Sequence, residues 1–232
     1  MVKKVERPVG PIVDPLPVGN VPDMRPLHGR WIWLDHVSAA KHAADLYASF
    51  EGKDPEGHIW TYLGYGPFAS LEEFTSWVKA REAARDPWFY AFVRRDTGKA
   101  VGMGSFMRND AANGVIEIGH IWMSPELQQT REATEAIYLM MRHCFGDLGV
   151  RRLEWKCDSL NAPSRKAAER FGFTFEGIFR QHYIIKGRNR DTAWYAMLDT
   201  EWPKARAAFE EWLREDNFDA KGQQKAKLRV SV

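Results

Sequence analysis

Glu117 has the setting in this sequence that most favours chemistry. It stands in Val115-Ile116-Glu117-Ile118-Gly119-His120-Ile121-Trp122, a β-branched and aromatic run between Asn113-Gly114 and Ser124-Pro125, which reads as a strand between turns. A carboxyl among apolar neighbours has its pKa raised by burial, and a raised carboxyl can accept a proton near neutral pH. The same residue is also suited to pairing with a buried Arg or Lys. His120 has two readings as well, a proton relay or a half-buried ring satisfied by a neighbour. Downstream, Thr130-Arg131-Glu132-Ala133-Thr134 opens a helix with Ile137, Met140, Met141, Cys144 and Phe145 at helical spacing. A strand feeding a helix N-terminus presents unbonded N–H groups and the positive end of the helix dipole, a site suited to phosphate. A base and a holder for a pyrophosphate are therefore expected a short distance apart.

The elements that must position these residues follow from the rest of the chain. Arg30 to Leu34 reads as a first strand, and Ser38 as the cap of a helix with Ala43, Leu46, Tyr47 and Phe50 on one face. The loop from Glu51 to Ala69 holds Trp60 and Tyr62 among other aromatics, and loops of that length are usually functional. Trp60 and Tyr62 can wall a substrate pocket or only pin the loop to the core; Glu51, Asp54 and Glu56 can attract a cationic amine or be merely solvated. Ser70-Leu71-Glu72-Glu73 is a capping box opening a second helix. Trp88 to Val93, apolar on both faces, is a buried strand, and Asp96 to Lys99 turns it into a strand from Ala100 to Arg108. Arg152 to Cys157 alternates as a strand, and Asn161-Ala162-Pro163-Ser164 starts a short helix that stops at Gly172. Two further strands, Phe179 to Ile185 and Thr192 to Leu198, join through a charged stretch whose Arg188 and Arg190 can bind an acidic group or be merely a solvated hairpin tip, and Thr200 caps a last helix. This order fits a mixed sheet flanked by helices.

Composition narrows the classes of function. The 232 residues are 44% hydrophobic, enough to bury a sizeable core. Residues 1–26 form a proline-rich arm expected to be extended at the surface, and residues 219–232 a polar tail expected to fray. With 33 basic against 31 acidic residues, nothing suggests nucleic acid or a membrane surface as partner. No apolar run approaches the roughly 20 residues that span a bilayer, so a soluble cytoplasmic protein is expected. Cys144 and Cys157 have no metal-ligand spacing, no metal site is expected, and both read as buried thiols.

Glu117-Ile118-Gly119-His120, Ala133-Thr134-Glu135-Ala136, Asn161-Ala162-Pro163-Ser164 and Phe171 to Gly177 together resemble the GNAT superfamily of acetyl-CoA-dependent N-acetyltransferases, most of all its RimJ/RimL-like branch. The resemblance covers roughly Leu27 to Trp202, within a domain placed at residues 27–218. It implies an α/β (α+β) fold, with a mixed, mostly antiparallel central sheet of about seven strands and helices on both faces. It also implies that the central strand splays from the strand Arg152 to Cys157 and admits pantetheine. N–H groups of Ile121, Trp122 and Met123 would bind pantetheine and the carbonyl oxygen, and Asn161 the pantetheine amide. Gln128, Gln129, Thr130, Arg131, Glu132, Ala133 and Thr134 would hold the pyrophosphate.

The sequence departs from the family where glycines usually precede the helix, since Gln129 and Arg131 fill both positions. N–H groups at a helix N-terminus need no glycine if φ and ψ stay ordinary, so cofactor binding is expected to survive. The family's tyrosine acid is also missing, Ala168 standing in its place, and Ser164 is the substitute hydroxyl. The resulting expectation is acetyl transfer from acetyl-CoA to a primary amine, on a protein N-terminus or a small molecule, by direct attack. Glu117, His120 and Ser164 are its catalytic candidates. The alternative is an acyl-CoA-binding module without catalysis. Partners are a small-molecule or peptide amine, with a homodimer left open.

Overall fold

The computed structural model describes residues 7–230; the ends of the expected arm and tail lie outside the described residues. Strands run β1 Leu27–His28, β2 Ile32–His36, β3 Trp88–Arg94, β4 Ala100–Asp110, β5 Val115–Met123, β6 Arg152–Asp158, β7 Thr174–Ile185 and β8 Arg188–Leu198. Helices are α1 Ala39–Phe50, α2 Leu71–Glu82, α3 Arg131–Arg142, α4 Ala162–Arg170 and α5 Trp202–Trp212, with α3 prolonged by a π-helical turn at His143–Leu148. The eight strands form one sheet in the order β1-β2-β3-β4-β5-β6-β8-β7. Only β5 and β6 pair in parallel; the other neighbours are antiparallel. The mixed, mostly antiparallel class is as expected, with one strand more: β1 spans two residues, too short to leave a periodic signal.

Alternation in β3 divides the core. Trp88, Tyr90 and Phe92 point to the face covered by α3 and α5, while Phe89, Ala91 and Val93 meet α1 and α2 on the other. Both layers are dry, with Ile137, Met140, Tyr195 and Phe209 buried on one side and Leu46, Trp60, Phe74 and Val78 on the other. The burial expected for Trp88 to Val93 is thus two-sided because helices cover both faces of a central strand.

A reciprocal cap explains how α2 starts. Ser70 accepts from the Glu73 N–H at 3.2 Å, while Glu73 reaches back to the Ala69 N–H at 2.8 Å. The expected side-chain caps of Ser38 and Thr200 are not formed: Ser38 makes no such bond, and Glu201, not Thr200, precedes α5. The described part of the tail, residues 219–230, is packed onto the domain. Trp212 Nε1 donates to Gln224 Oε1 at 3.0 Å, Leu228 is buried, and Val230 lies over Gly172. The described part of the arm is mostly exposed and is tied to the domain by Arg25 to Asp147 at 2.6 Å and by Asn20 to the Leu148 carbonyl at 3.3 Å.

Candidate active site

The parallel pair is where the sheet opens. β5 and β6 pair from Val115↔Arg152 to Ile118↔Trp155 and then part. On its other side, β5 carries a bulge: Gly119 pairs with Ser105 and Trp122 with Met103, so His120 and Ile121 face the single residue Gly104. His120 takes up the bulge with φ +50°. Gly104 has to be glycine, since a Cβ there would meet the Phe92 ring of β3 at 2.7 Å. From Gly119 to Met123 the β6-facing edge of β5 is therefore left without a strand partner, as splaying requires. The opening lies in a cleft of about 1750 Å³ that also reaches the start of α3, α4 and the β7–β8 hairpin.

At one end of the cleft lies the start of α3. Thr130 caps the helix by accepting from the Ala133 N–H at 3.1 Å. Gln128 and Thr130 N–H donate to Ser124 and Leu127 carbonyls. Those of Gln129, Arg131 and Glu132 have no partner among the described residues and line the cleft. The Gln128 side chain donates to the Met123 carbonyl at 3.0 Å, so it braces the loop and does not reach out as a phosphate donor. The expectation of ordinary torsions in the glycine-free loop fails at one residue: Gln129, in the glycine register, has φ +62°. A glutamine here tolerates the left-handed conformation at a cost of about 1 kcal/mol. The Arg131 guanidinium stacks on Trp31 and Phe218, 4.7 and 5.5 Å from their centroids, and closes the rim of the cleft with Gly222.

In the middle, Asn161 and Ser164 stand at the start of α4, both on the cleft. Asn161 Oδ1 accepts from the Ser164 N–H at 3.1 Å, which leaves its amide NH₂ to face a ligand. The Ser164 hydroxyl accepts from Trp155 Nε1 at 3.0 Å, which leaves its own proton to donate. Cys157 lines the cleft beside them, but burial pushes its thiol up, so it is not a ready nucleophile; Cys144 is wholly buried.

At the far end Glu117 is buried, and both its expected readings meet there. Its Oε2 accepts from Lys156 Nζ at 2.9 Å and from Arg108 at 3.1 Å. Oε1 has no partner among the described residues. Burial raises its pKa against the pull of the two cations. His120 lies by Tyr65 and Phe89, its ring centroids 5.6 and 5.2 Å from theirs. Burial, reinforced by Arg81, Arg108 and Arg190, lowers it to about 4, so it is neutral at neutral pH. Tyr62 walls the cleft, its hydroxyl donating to the Leu160 carbonyl at 3.1 Å.

Trp60, expected to line a substrate pocket, does not. It is 2% exposed and packs on Phe50, Phe68 and Trp122 beneath the loop, so Ile59, Leu63 and Gly64 line the cleft in its place. The Trp122 ring is equally buried, so its contribution to the cleft is its backbone. Of the loop acids, Asp54 lines the cleft and accepts from the His58 and Ile59 N–H groups, and Glu56 pairs with His58 at 2.6 Å. The sequence reading missed Arg108, Lys156 and Tyr183 as cleft residues, and placed Arg190 at a hairpin tip. The turn is only Lys186-Gly187, so Arg190 lies within β8 opposite Tyr183. Lys156 carried a signal, since it alternates onto the same face of β6 as Glu154.

This geometry has counterparts. The model of the acetyltransferase (GNAT) domain matches residues 32–174. A GCN5-related N-acetyltransferase from Brucella melitensis is 45% identical and superposes with a TM-score of 0.89, covering 93% of this chain and 96% of that one. YdaF of Bacillus subtilis (strain 168), provisionally named a ribosomal N-acetyltransferase, is 30% identical over 105 residues, 45% of this chain and 57% of its own length. RimL, the ribosomal L7/L12 alpha-N-protein acetyltransferase in complex with coenzyme A, shares the fold at 21% identity and a TM-score of 0.64, over 75% of this chain and 98% of that one. The chain belongs to the acetyltransferase (GNAT) family.

Proposed function

We propose that this protein transfers an acetyl group from acetyl-CoA to a primary amine by direct attack, without an acyl-enzyme. The observation that carries this reading is one cleft holding three things: the parting of β5 from β6, the unbonded N–H groups at the start of α3, and the buried Glu117. The residues present fit the cofactor. N–H groups of Gln129, Arg131 and Glu132, at the positive end of α3, suit a pyrophosphate. The Asn161 amide suits a pantetheine carbonyl, and the free edge of β5 offers amides to its peptide-like arm. Acetyl-CoA supplies, when bound, an activated acyl group on a thiol leaving group.

The chain supplies the rest. Backbone N–H at the β5 bulge faces the place where an acyl oxygen would gather charge, and one such donor is worth roughly 3 kcal/mol. Glu117 Oε1 accepts the amine's proton through water, burial raising its carboxyl against the pull of Lys156 and Arg108. Neutral His120 adds no charge of its own beside the incoming amine and orients that water. The Ser164 hydroxyl, held by Trp155, donates towards the leaving thiolate. The names of RimL, a ribosomal L7/L12 alpha-N-protein acetyltransferase, and of YdaF favour a peptide N-terminus among primary amines.

Incubation with acetyl-CoA and a panel of amines, with free thiol measured, tests this. Thiol release that depends on amine is expected, together with a rise in melting temperature on adding acetyl-CoA. No release from any amine and no thermal shift would overturn it.

A further inference from the structure

Resting on that reading, the cleft also says what else the amine must carry. The end beyond Glu117 is lined by Arg108, Lys156, Tyr183, Arg190, Tyr62 and Ile185. Its charges do not balance. Arg108 and Lys156 share Glu117, and Lys156 also holds Glu154, which Arg152 holds in turn. Arg190 has no carboxylate among the described residues. The acids beside it in the chain and across the sheet make no bond to it: Asp191 accepts from the Gln181 N–H and from Asn189, and Asp158 from the Leu160 N–H. Its Nε is buried with no hydrogen-bond partner, although an orphaned buried donor is costly to keep.

The guanidinium is nevertheless held in place. Arg190 and Arg108 lie 5.7 and 5.6 Å from the centroid of the Tyr183 ring, and Arg108 donates to the Tyr183 hydroxyl at 2.7 Å. The surplus charge is felt around it. Arg108 and Arg190 add to burial in depressing both His120 and His182. A fixed, half-buried guanidinium with one uncompensated charge suits a planar monoanion taken by two parallel hydrogen bonds.

We propose that Arg190 anchors a carboxylate of the acceptor, so that the substrate is a primary amine bearing a carboxylate. The carboxylate on Arg190 leaves the amine to approach Glu117, and neutralises the positive field that otherwise repels an ammonium group. A dianionic phosphate would exceed the one free charge. Two sources share this chemistry: a free amino acid, and a peptide N-terminus followed by an acidic side chain.

The test compares matched acceptors by thiol release at saturating acetyl-CoA: alanine and glutamate against their carboxamides, and Ser-Asp and Ser-Glu peptides, amidated at the C-terminus, against Ser-Asn and Ser-Gln. Wild-type protein is expected to favour the carboxylate member of at least one set by roughly tenfold or more in kcat/KM. The set that responds identifies the source. Arg190→Gln is expected to erase that preference through KM with the thermal shift by acetyl-CoA intact, and Arg190→Lys to restore part of it. Thiol release with no carboxylate preference in wild type, or a preference that survives Arg190→Gln, overturns the anchor alone. No release from any acceptor overturns the acetyl-transfer reading and the anchor with it.

Discussion

A carboxylate with one oxygen given to two cations and the other left open is a divided residue, and Glu117 is built this way. Glu117→Gln keeps the shape and removes the base; turnover is expected to fall by roughly 10²–10⁴ while acetyl-CoA still raises the melting temperature. In the native enzyme the rate should rise with pH as Glu117 loses its proton, and it should do so above the ordinary glutamate range, because burial has raised this carboxyl. His120 makes a second pH signature, in stability. Its pKa falls from 6.5 unfolded to about 4 folded, so between these values the unfolded chain binds the extra proton. Stability is therefore lost as pH falls through this window, by roughly 3 kcal/mol at most. His120→Asn, which tolerates the same left-handed backbone, should flatten that part of the unfolding curve. Gln129 offers a third test. Gln129→Gly relieves its positive φ and should leave the melting temperature equal or higher, whereas Gln129→Val should cost about 1–2 kcal/mol. Thermal unfolding at fixed pH decides between them.

Helix α3 shows how an element can be pinned from both ends of its first turns. Thr130 caps it towards the cleft. One turn on, buried Glu135 accepts from the N–H groups of Arg30, Trp31 and Ile32 at 2.6, 2.7 and 3.1 Å, fastening the β1–β2 turn onto the helix. Gly29 has to be glycine there, since a Cβ would meet the Glu135 carboxyl at 2.6 Å. Glu135 reads in sequence only as one letter of a motif, and its partners lie more than a hundred residues away. Glu135→Gln should lower stability by roughly 1.5–3 kcal/mol, measured by denaturant unfolding, because charge-assisted bonds are lost and an NH₂ is brought against N–H donors. Turnover at a temperature where the variant is folded should change little, as Glu135 faces away from the cleft.

Over the whole molecule, the surprise is the tail. Residues past Phe218 return to α3: Gly222 comes within 3.8 Å of the Arg131 guanidinium when given a Cβ, and residues 220–224 line the cleft. Truncation after Phe218 would uncover Trp212 and remove buried Leu228, a loss of roughly 1.5–3 kcal/mol for that side chain. A lower melting temperature is expected, with weaker acetyl-CoA binding because Arg131 loses its cover. A titration that leaves affinity unchanged would assign the tail to stability alone.

Local chemistry settled what was legible in advance. The periodicity of β3 and α3, the cap at Ser70, the Glu117 strand and the Asn161-Ala162-Pro163-Ser164 helix start are each written within a few neighbouring residues, and the fold places them as read. Other features depend on residues distant in sequence. Whether Trp60 faces ligand or core, whether Arg190 caps a tip or lines a cleft, and whether polar residues 219–230 fray are questions of what packs across from them. Composition records how well a segment tolerates water, but only the tertiary structure decides whether water is what it meets. The same limit holds at the reacting end: the sequence supplied a carboxylate in an apolar strand, and the sheet supplied the two cations and the uncompensated arginine around it.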